Sequence, residues 1–156
     1  MVRNARRFFL LALITVFLWP LTATAEPIEG CNGAPNSIEV KVHGVRSEHG
    51  RVTFVLYSDD PDEFLVRGKK LMKERFPARI GTVEFCLPVS APGTYAAAVY
   101  HDEDGNGKLN KNWIGMPIEG FGVSNNPDYW VVPSHAEAAF RVEDEVVTAV
   151  DIKLKY

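Results

Sequence analysis

The sequence predicts an all-β fold, an antiparallel β-sandwich of about seven strands with one short helix. Three observations carry this reading. Apolar and polar residues alternate with period two in run after run, the mark of strands with one face buried and the other in water. Glycine, proline, asparagine and aspartate separate the runs at turn positions. Only one segment sets apolar residues between helix-starting and helix-ending signals.

Residues 1–25 precede the fold. Arg3, Arg6 and Arg7, an apolar run from Phe8 to Trp19, and the small residues Ala23-Thr24-Ala25 make a secretory signal with cleavage expected before Glu26. The apolar run falls short of the roughly 20 residues that span a bilayer, which makes a membrane anchor the weaker reading. Arg6-Arg7 also fits a twin-arginine signal, but the strong hydrophobicity that follows favours the general secretory route. Residues 26–156 are therefore read as one exported domain, periplasmic or secreted, with no membrane insertion after cleavage.

After a loose arm from Glu26 to Asn36, Ile38, Val40 and Val42 begin the alternation, and Val52, Phe54 and Leu56 continue it. The helix is expected next. Asp60 suits its N-cap, Pro61 its first position and Glu63 a capping box. Phe64, Leu65, Leu71, Met72 and Phe76 supply an apolar side, while Lys69, Lys70, Lys73 and Arg75 gather where cations suit the helix dipole. Gly68 weakens its middle. Further strands follow in Val83-x-Phe85-x-Leu87, in Tyr95-x-Ala97-x-Val99 with small Ala96 and Ala98 on the other face, in Ala138-x-Phe140-x-Val142, and in the long alternation from Val146 to Tyr156. His49-Gly50 and Glu143-Asp144-Glu145 are expected to be hairpin connections.

The whole chain carries 17 Lys and Arg against 20 Asp and Glu, and the leader takes three arginines with it, which moves the formal charge from −3 to −6. No basic stripe is left, which argues against nucleic acid and anionic membrane as partners and leaves an undefined protein or glycan. Two cysteines, Cys31 and Cys86, are expected to pair in an oxidising compartment. The alternation puts Cys86 opposite Val83, Phe85 and Leu87, so the bridge would clip the arm across an outer face.

The unusual region is the stretch from Asp102 to His135, which shows no strand or helix of its own but carries Trp113, Ile114, Met116, Phe121, Tyr129 and Trp130. It opens on Asp102-Glu103-Asp104-Gly105-Asn106-Gly107-Lys108, the first half of a D-x-[DN]-x-[DN]-G calcium loop, whose alternate oxygens turn inward on a hard cation. Gly107 allows the positive φ the reversal needs. The twelfth position, where an EF-hand has its bidentate Glu, is Trp113. One reading has Asp102, Asp104 and Asn106 bind Ca²⁺ with the Lys108 carbonyl, Asn110, and Glu119 in place of the absent twelfth ligand. A second makes Asp-Gly and Asn-Gly ordinary turns with solvated carboxylates. A third builds a metal-dependent catalytic centre from His101 and Glu119, although His43, His49 and His135 share no ligand spacing with His101.

No hydrolase elbow, phosphate-binding glycine loop or nucleophile triad is legible, so a non-enzymatic module is expected. Trp113, Tyr129 and Trp130 are candidates for stacking on a sugar ring or a peptide. The general burial tendency of large aromatics favours instead a minicore beneath the loop.

Gly93-Thr94-Tyr95-Ala96 running into His101-Asp102, then the Gly-Asn-Gly-Lys turn, then Gly115-Met116-Pro117-Ile118-Glu119-Gly120-Phe121-Gly122-Val123-Ser124 resemble the bacterial DUF2141 family. Ala138-Ala139-Phe140 and the final alternating strand resemble it too. The resemblance implies an exported domain with this strand and acidic turn, and it implies no activity. The strand-then-acidic-turn arrangement is also similar to immunoglobulin-like and prealbumin-like modules, some of which bind calcium there. Asn110 stands where many relatives are expected to have Asp, and a neutral amide lowers the charge of such a site.

Overall fold

A computed structural model describes Cys31 and residues 34–128 and 132–156. Two sheets pack face to face. The first has the order β4 (Gly81–Pro88), β1 (Ser37–Val45), β8 (Val147–Lys153). The second has β3 (Met72–Pro77), β2 (Arg51–Tyr57) and β5 (Gly93–Asp102), and the free side of β5 pairs with β6 (Phe121–Val123) over one part and β7 (Ala139–Val142) over another. Eight strands among the described residues thus make the all-β sandwich that the alternation predicts.

The inward residues are those of the period-two runs. Ile38, Val40 and Val42 of β1 face Val52, Phe54 and Leu56 of β2, with Val83, Phe85 and Leu87 from β4 and Val150 and Ile152 from β8. Phe85 stacks on Phe76 at 3.8 Å between ring centroids and meets Phe54 edge-on at 5.6 Å. Burying aromatic and β-branched residues on both inner faces supplies the main driving force for this packing.

A second apolar cluster lies on the outer face of the five-stranded sheet, where Val55, Tyr57, Ala96, Ala98, Tyr100 and Val123 are covered by Phe64 and Ala138. The small side chains of Ala96 and Ala98 leave room for that cover. As a result β5 is buried on both faces from Ala96 to Asp102.

Several expectations are corrected. The segment after Asp60 is not a helix. Asp60 does cap a turn by accepting from the Asp62 amide, but that turn is a single 3-10 element, Pro61–Glu63. Leu65 and Gly68 then take φ of +59° and +85°, which breaks helical propagation. Met72 and Phe76, four apart, lie on the inner face of β3, where period two serves them as well as a helix would. A short α-helix, α1 (His135–Ala138), occurs where the end of the long loop and the start of the Ala138 strand were expected, and that strand begins at Ala139. It is fixed by a capping box in which Ser134 and Glu137 bond each other's backbone amide.

The connections differ as well. His49-Gly50 and Glu143-Asp144-Glu145 are not hairpin connections, because β1 and β2, like β7 and β8, belong to opposite sheets. The first and last strands run parallel, with Ile38 opposite Thr148 and Val42 opposite Ile152, so the sandwich is not wholly antiparallel. The long loop is not strandless either, since it contains β6. There Gly122 is required by close approach: a Cβ would lie 2.4 Å from the Lys153 carbonyl oxygen. Phe121 and Lys155 exchange backbone hydrogen bonds of 2.9 Å across the same seam.

Cys31 and Cys86 are joined, with 5.1 Å between Cα atoms. Cys86 sits on the outer side of β4, opposite buried Phe85 and Leu87, as the alternation requires.

Candidate metal centre

β5 ends by placing consecutive residues on opposite faces. His101 points inward and is fully buried; Asp102 points outward into the loop and is 1% exposed. Asp102 Oδ2 accepts from the Gly107 amide at 2.8 Å, which closes the turn. Gly107 has φ +82°, and the Arg75 guanidinium lies where its Cβ would be, 2.6 Å away. The Gly107 carbonyl is held from the other side by Lys73 Nζ at 2.9 Å and the Tyr100 hydroxyl at 3.1 Å.

Glu119 returns from the far end of the loop and is 5% exposed. Its Oε1 accepts from the Glu103 amide at 2.9 Å, and its Oε2 from the Asn110 amide at 2.8 Å. One carboxylate therefore pins both sides of the loop base. Asp104 accepts from the Asn106 amide at 3.1 Å and from the side-chain amides of Asn106 and Asn110 at 2.8 Å each. The Asn106 backbone amide, followed by the Asn110 side chain, holds the Asp104 carboxyl below the usual carboxylate range.

Asp102, Asp104 and Glu119 each direct a carboxylate oxygen to one spot, all within 4.8 Å of one another. Among the described residues, no ion pair reaches any of the three. Asp102 Oδ1 is buried without a hydrogen-bond partner. A buried acceptor left in that state costs on the order of 1–3 kcal/mol, more when it is charged. A donor set of carboxylates and amides suits a hard cation. Ca²⁺ binds oxygens at about 2.3–2.6 Å, so two ligands of one ion stand at most about 5 Å apart, a span these three oxygens meet.

Of the residues the sequence nominates, the structure brings Asp102, Asp104 and Glu119 together. Asn106 and Asn110 join them through hydrogen bonds to Asp104. Asn106 Oδ1 is turned away onto the Lys108 amide at 2.8 Å, and Lys108 itself stands in solvent. His101 stays apart from the cluster: its ring nitrogens meet the Tyr156 hydroxyl at 2.9 Å and the His49 carbonyl at 2.8 Å. Lys73 and Tyr100, the props beneath Gly107, are not nominated by the sequence. Lys73 reads there as a helix-end cation, and only its true place on β3 reveals the contact.

Beyond this base the loop becomes a small hairpin. Lys111 and Pro117 form an antiparallel bridge, the Asn112 amide donates to Met116 O at 2.8 Å, and the Ile118 amide to Asn110 O at 3.0 Å. At its tip Trp113 is 95% exposed, with Ile114, Met116 and Ile118 also in solvent. The minicore expected under the loop thus does not include Trp113. Tyr129 and Trp130 lie outside the described residues.

The strand, the acidic turn and the Glu119-Gly120-x-Gly122 return form one connected unit, and a profile described as an uncharacterized protein conserved in bacteria, DUF2141, matches residues 40–150. The chain belongs to the DUF2141 family. The match runs from β1 into β8 and so takes in the three converging carboxylates. No curated protein matches the chain, and no solved structure does. The DUF2141 segment Glu119-Gly120-Phe121-Gly122 has a physical reading. The acid closes the loop base, and the glycines let β6 pass against Tyr156 and Lys153, since a Cβ on Gly120 would lie 2.5 Å from the Tyr156 ring.

Proposed function

We propose that this DUF2141 protein is an exported, non-enzymatic binding or structural module whose loop 102–119 is fixed by Ca²⁺. The observation that carries the reading is Asp102 Oδ1, a buried oxygen with no partner, on a carboxylate that converges with those of Asp104 and Glu119. A divalent cation would satisfy it and offset the repulsion among the three acids. Turning over the Asn106 and Asn110 side-chain amides, which now donate to Asp104, would add two neutral oxygen ligands. The Cys31–Cys86 bridge suits the oxidising compartment to which a cleaved leader would deliver the chain.

The test is a thermal melt of the chelator-treated chain from Glu26 onward, with Ca²⁺ added stepwise. A ligand of the native state must raise the midpoint, by the equivalent of about 2.7 kcal/mol at a hundredfold excess over Kd. An unmoved midpoint at millimolar Ca²⁺ would reject the cation reading. A second reading, a carbohydrate- or peptide-binding module, has one observation in its favour, the exposed Trp113 ring. Glycan binding that persists unchanged in Trp113→Ala would remove it.

A further inference from the structure

The hairpin at 110–118 has the composition and hydrogen bonding of a surface element that enters an apolar phase. Trp113, Ile114, Met116 and Ile118 are 95%, 60%, 50% and 55% exposed. All four lie within six residues of one hairpin. Isolated exposed apolar residues need no explanation, whereas a cluster at a protruding tip does.

Five backbone amides of the hairpin, those of Asn112, Ile114, Gly115, Met116 and Ile118, bond within it. The Asn112 amide donates to Met116 O, the Gly115 amide to Asn112 O and the Ile118 amide to Asn110 O. The Asn112 side-chain oxygen accepts from the Ile114 amide at 3.1 Å and from the Met116 amide at 2.9 Å, and Pro117 has no N–H to satisfy. A peptide segment can leave water cheaply only when its donors are already bonded internally.

Charge selects among apolar phases. From Gly105 to Ile118 the chain contains Lys108 and Lys111 and no acid, and both lysines stand in solvent beside the tip. Arg75 lies against Gly107 at the base of the same loop. Lysines ringing a tryptophan-bearing apolar tip complement the anionic headgroups and acyl boundary of a lipid surface, where the amphipathic indole ring also prefers to sit. The domain's negative charge otherwise opposes such a surface, so attraction has to come from this loop alone.

We propose that the 110–118 hairpin docks the domain onto an anionic phospholipid surface by inserting Trp113, Ile114 and Met116 to the depth of the headgroups, with Lys108 and Lys111 on the phosphates. This is attachment at the interface and not a membrane span. It stands apart from the cation reading, because the inserted residues Trp113, Ile114 and Met116 are not among the converging carboxylates.

The experiment is cosedimentation of the chain from Glu26, which retains every strand and both cysteines, with vesicles of phosphatidylcholine alone or mixed with phosphatidylglycerol, in chelator and in Ca²⁺. Binding to the mixed vesicles is expected. It should fall about tenfold in Trp113→Ser/Ile114→Ser and about fivefold for each of Lys108→Gln and Lys111→Gln. Circular dichroism and an unchanged melting midpoint would confirm that the variants fold. Absence of binding to mixed vesicles in both media would overturn the proposal, as would binding that the tip variants leave intact. Capture of a glycan or peptide by the hairpin in place of vesicles would equally overturn it. Because vesicle binding and the Ca²⁺ melt are separate readouts, either reading can fail alone.

Discussion

The base and the tip of the 102–119 loop reverse the ordinary distribution of polarity. At the base, Asp102 and Glu119 are carboxylates in the interior; at the tip, Trp113 is a large ring in solvent. Both ends are held by backbone hydrogen bonds, but to different purpose. Glu119 spends its two oxygens on the Glu103 and Asn110 amides and leaves Asp102 with an unanswered oxygen, whereas Asn112 answers the amides of its own tip and leaves apolar side chains unanswered. Among the described residues the three carboxylates at the base have no ion-pair partner, and the tip lacks cover.

The comparison is broken most forcefully at the base. Glu119→Ala removes the acceptors of two partly buried amides and is expected to destabilise the cation-free protein by about 2 kcal/mol, read as a fall in the urea midpoint. It should also abolish any response to Ca²⁺. Asp102→Asn separates the two roles of that residue. Its amide oxygen can still accept from the Gly107 amide, and its NH₂ can donate to Asp104 or Glu119. In chelator it should therefore be about 1 kcal/mol more stable than the parent, while its melting midpoint no longer moves with Ca²⁺. A variant that loses stability in chelator would mean that the orphan oxygen is better served than the geometry indicates.

Acid sharpens the same contrast. The Arg46 hydrogen bond, aided by Ser47, holds the Glu103 carboxyl below its ordinary value, and the Asn106 and Asn110 amides do so for Asp104. Groups whose folded pKa is depressed contribute stability that is present above their unfolded value and is lost as pH falls through the folded one. The cation-free protein should hold its stability above about pH 4.5 and lose it progressively below, and Glu103→Gln should flatten that profile. The tip gives the smallest effect. Trp113→Ala is expected to change the urea midpoint by the equivalent of less than about 0.5 kcal/mol, because so exposed a ring has little packing to lose.

The strands were legible wherever one face is buried and the other wet, as in Ile38-Glu39-Val40-Lys41-Val42. Residues four apart, such as Met72 and Phe76, share a face in a helix and also in a strand, so their spacing does not separate the two; the positive φ values at Leu65 and Gly68 decide against the helix. The turns at His49-Gly50 and Glu143 to Glu145 were recognised as turns, but turn chemistry does not say whether the chain folds back into its own sheet or crosses to the other. Nothing local reveals that the first and last strands run parallel. At the candidate site, the gap at the twelfth loop position was informative, since it directed attention to Glu119, which does converge on Asp102 and Asp104. The exposure of Trp113 ran against the burial tendency of its type, and the sequence carries no signal for such an exception.

The pairing of β1 with β8 bears on the order in which the fold can be completed. The central strand of the smaller sheet has one neighbour, β4, available early and the other only after nearly the entire chain has been made. Until then its second edge is an open row of amides and carbonyls, the kind of edge that recruits strands from other molecules. Non-local pairing of this kind also slows folding. A nascent chain would depend on whatever shields β1 during that interval, and a truncation that removes β8 would produce an aggregating protein and not a shorter sandwich.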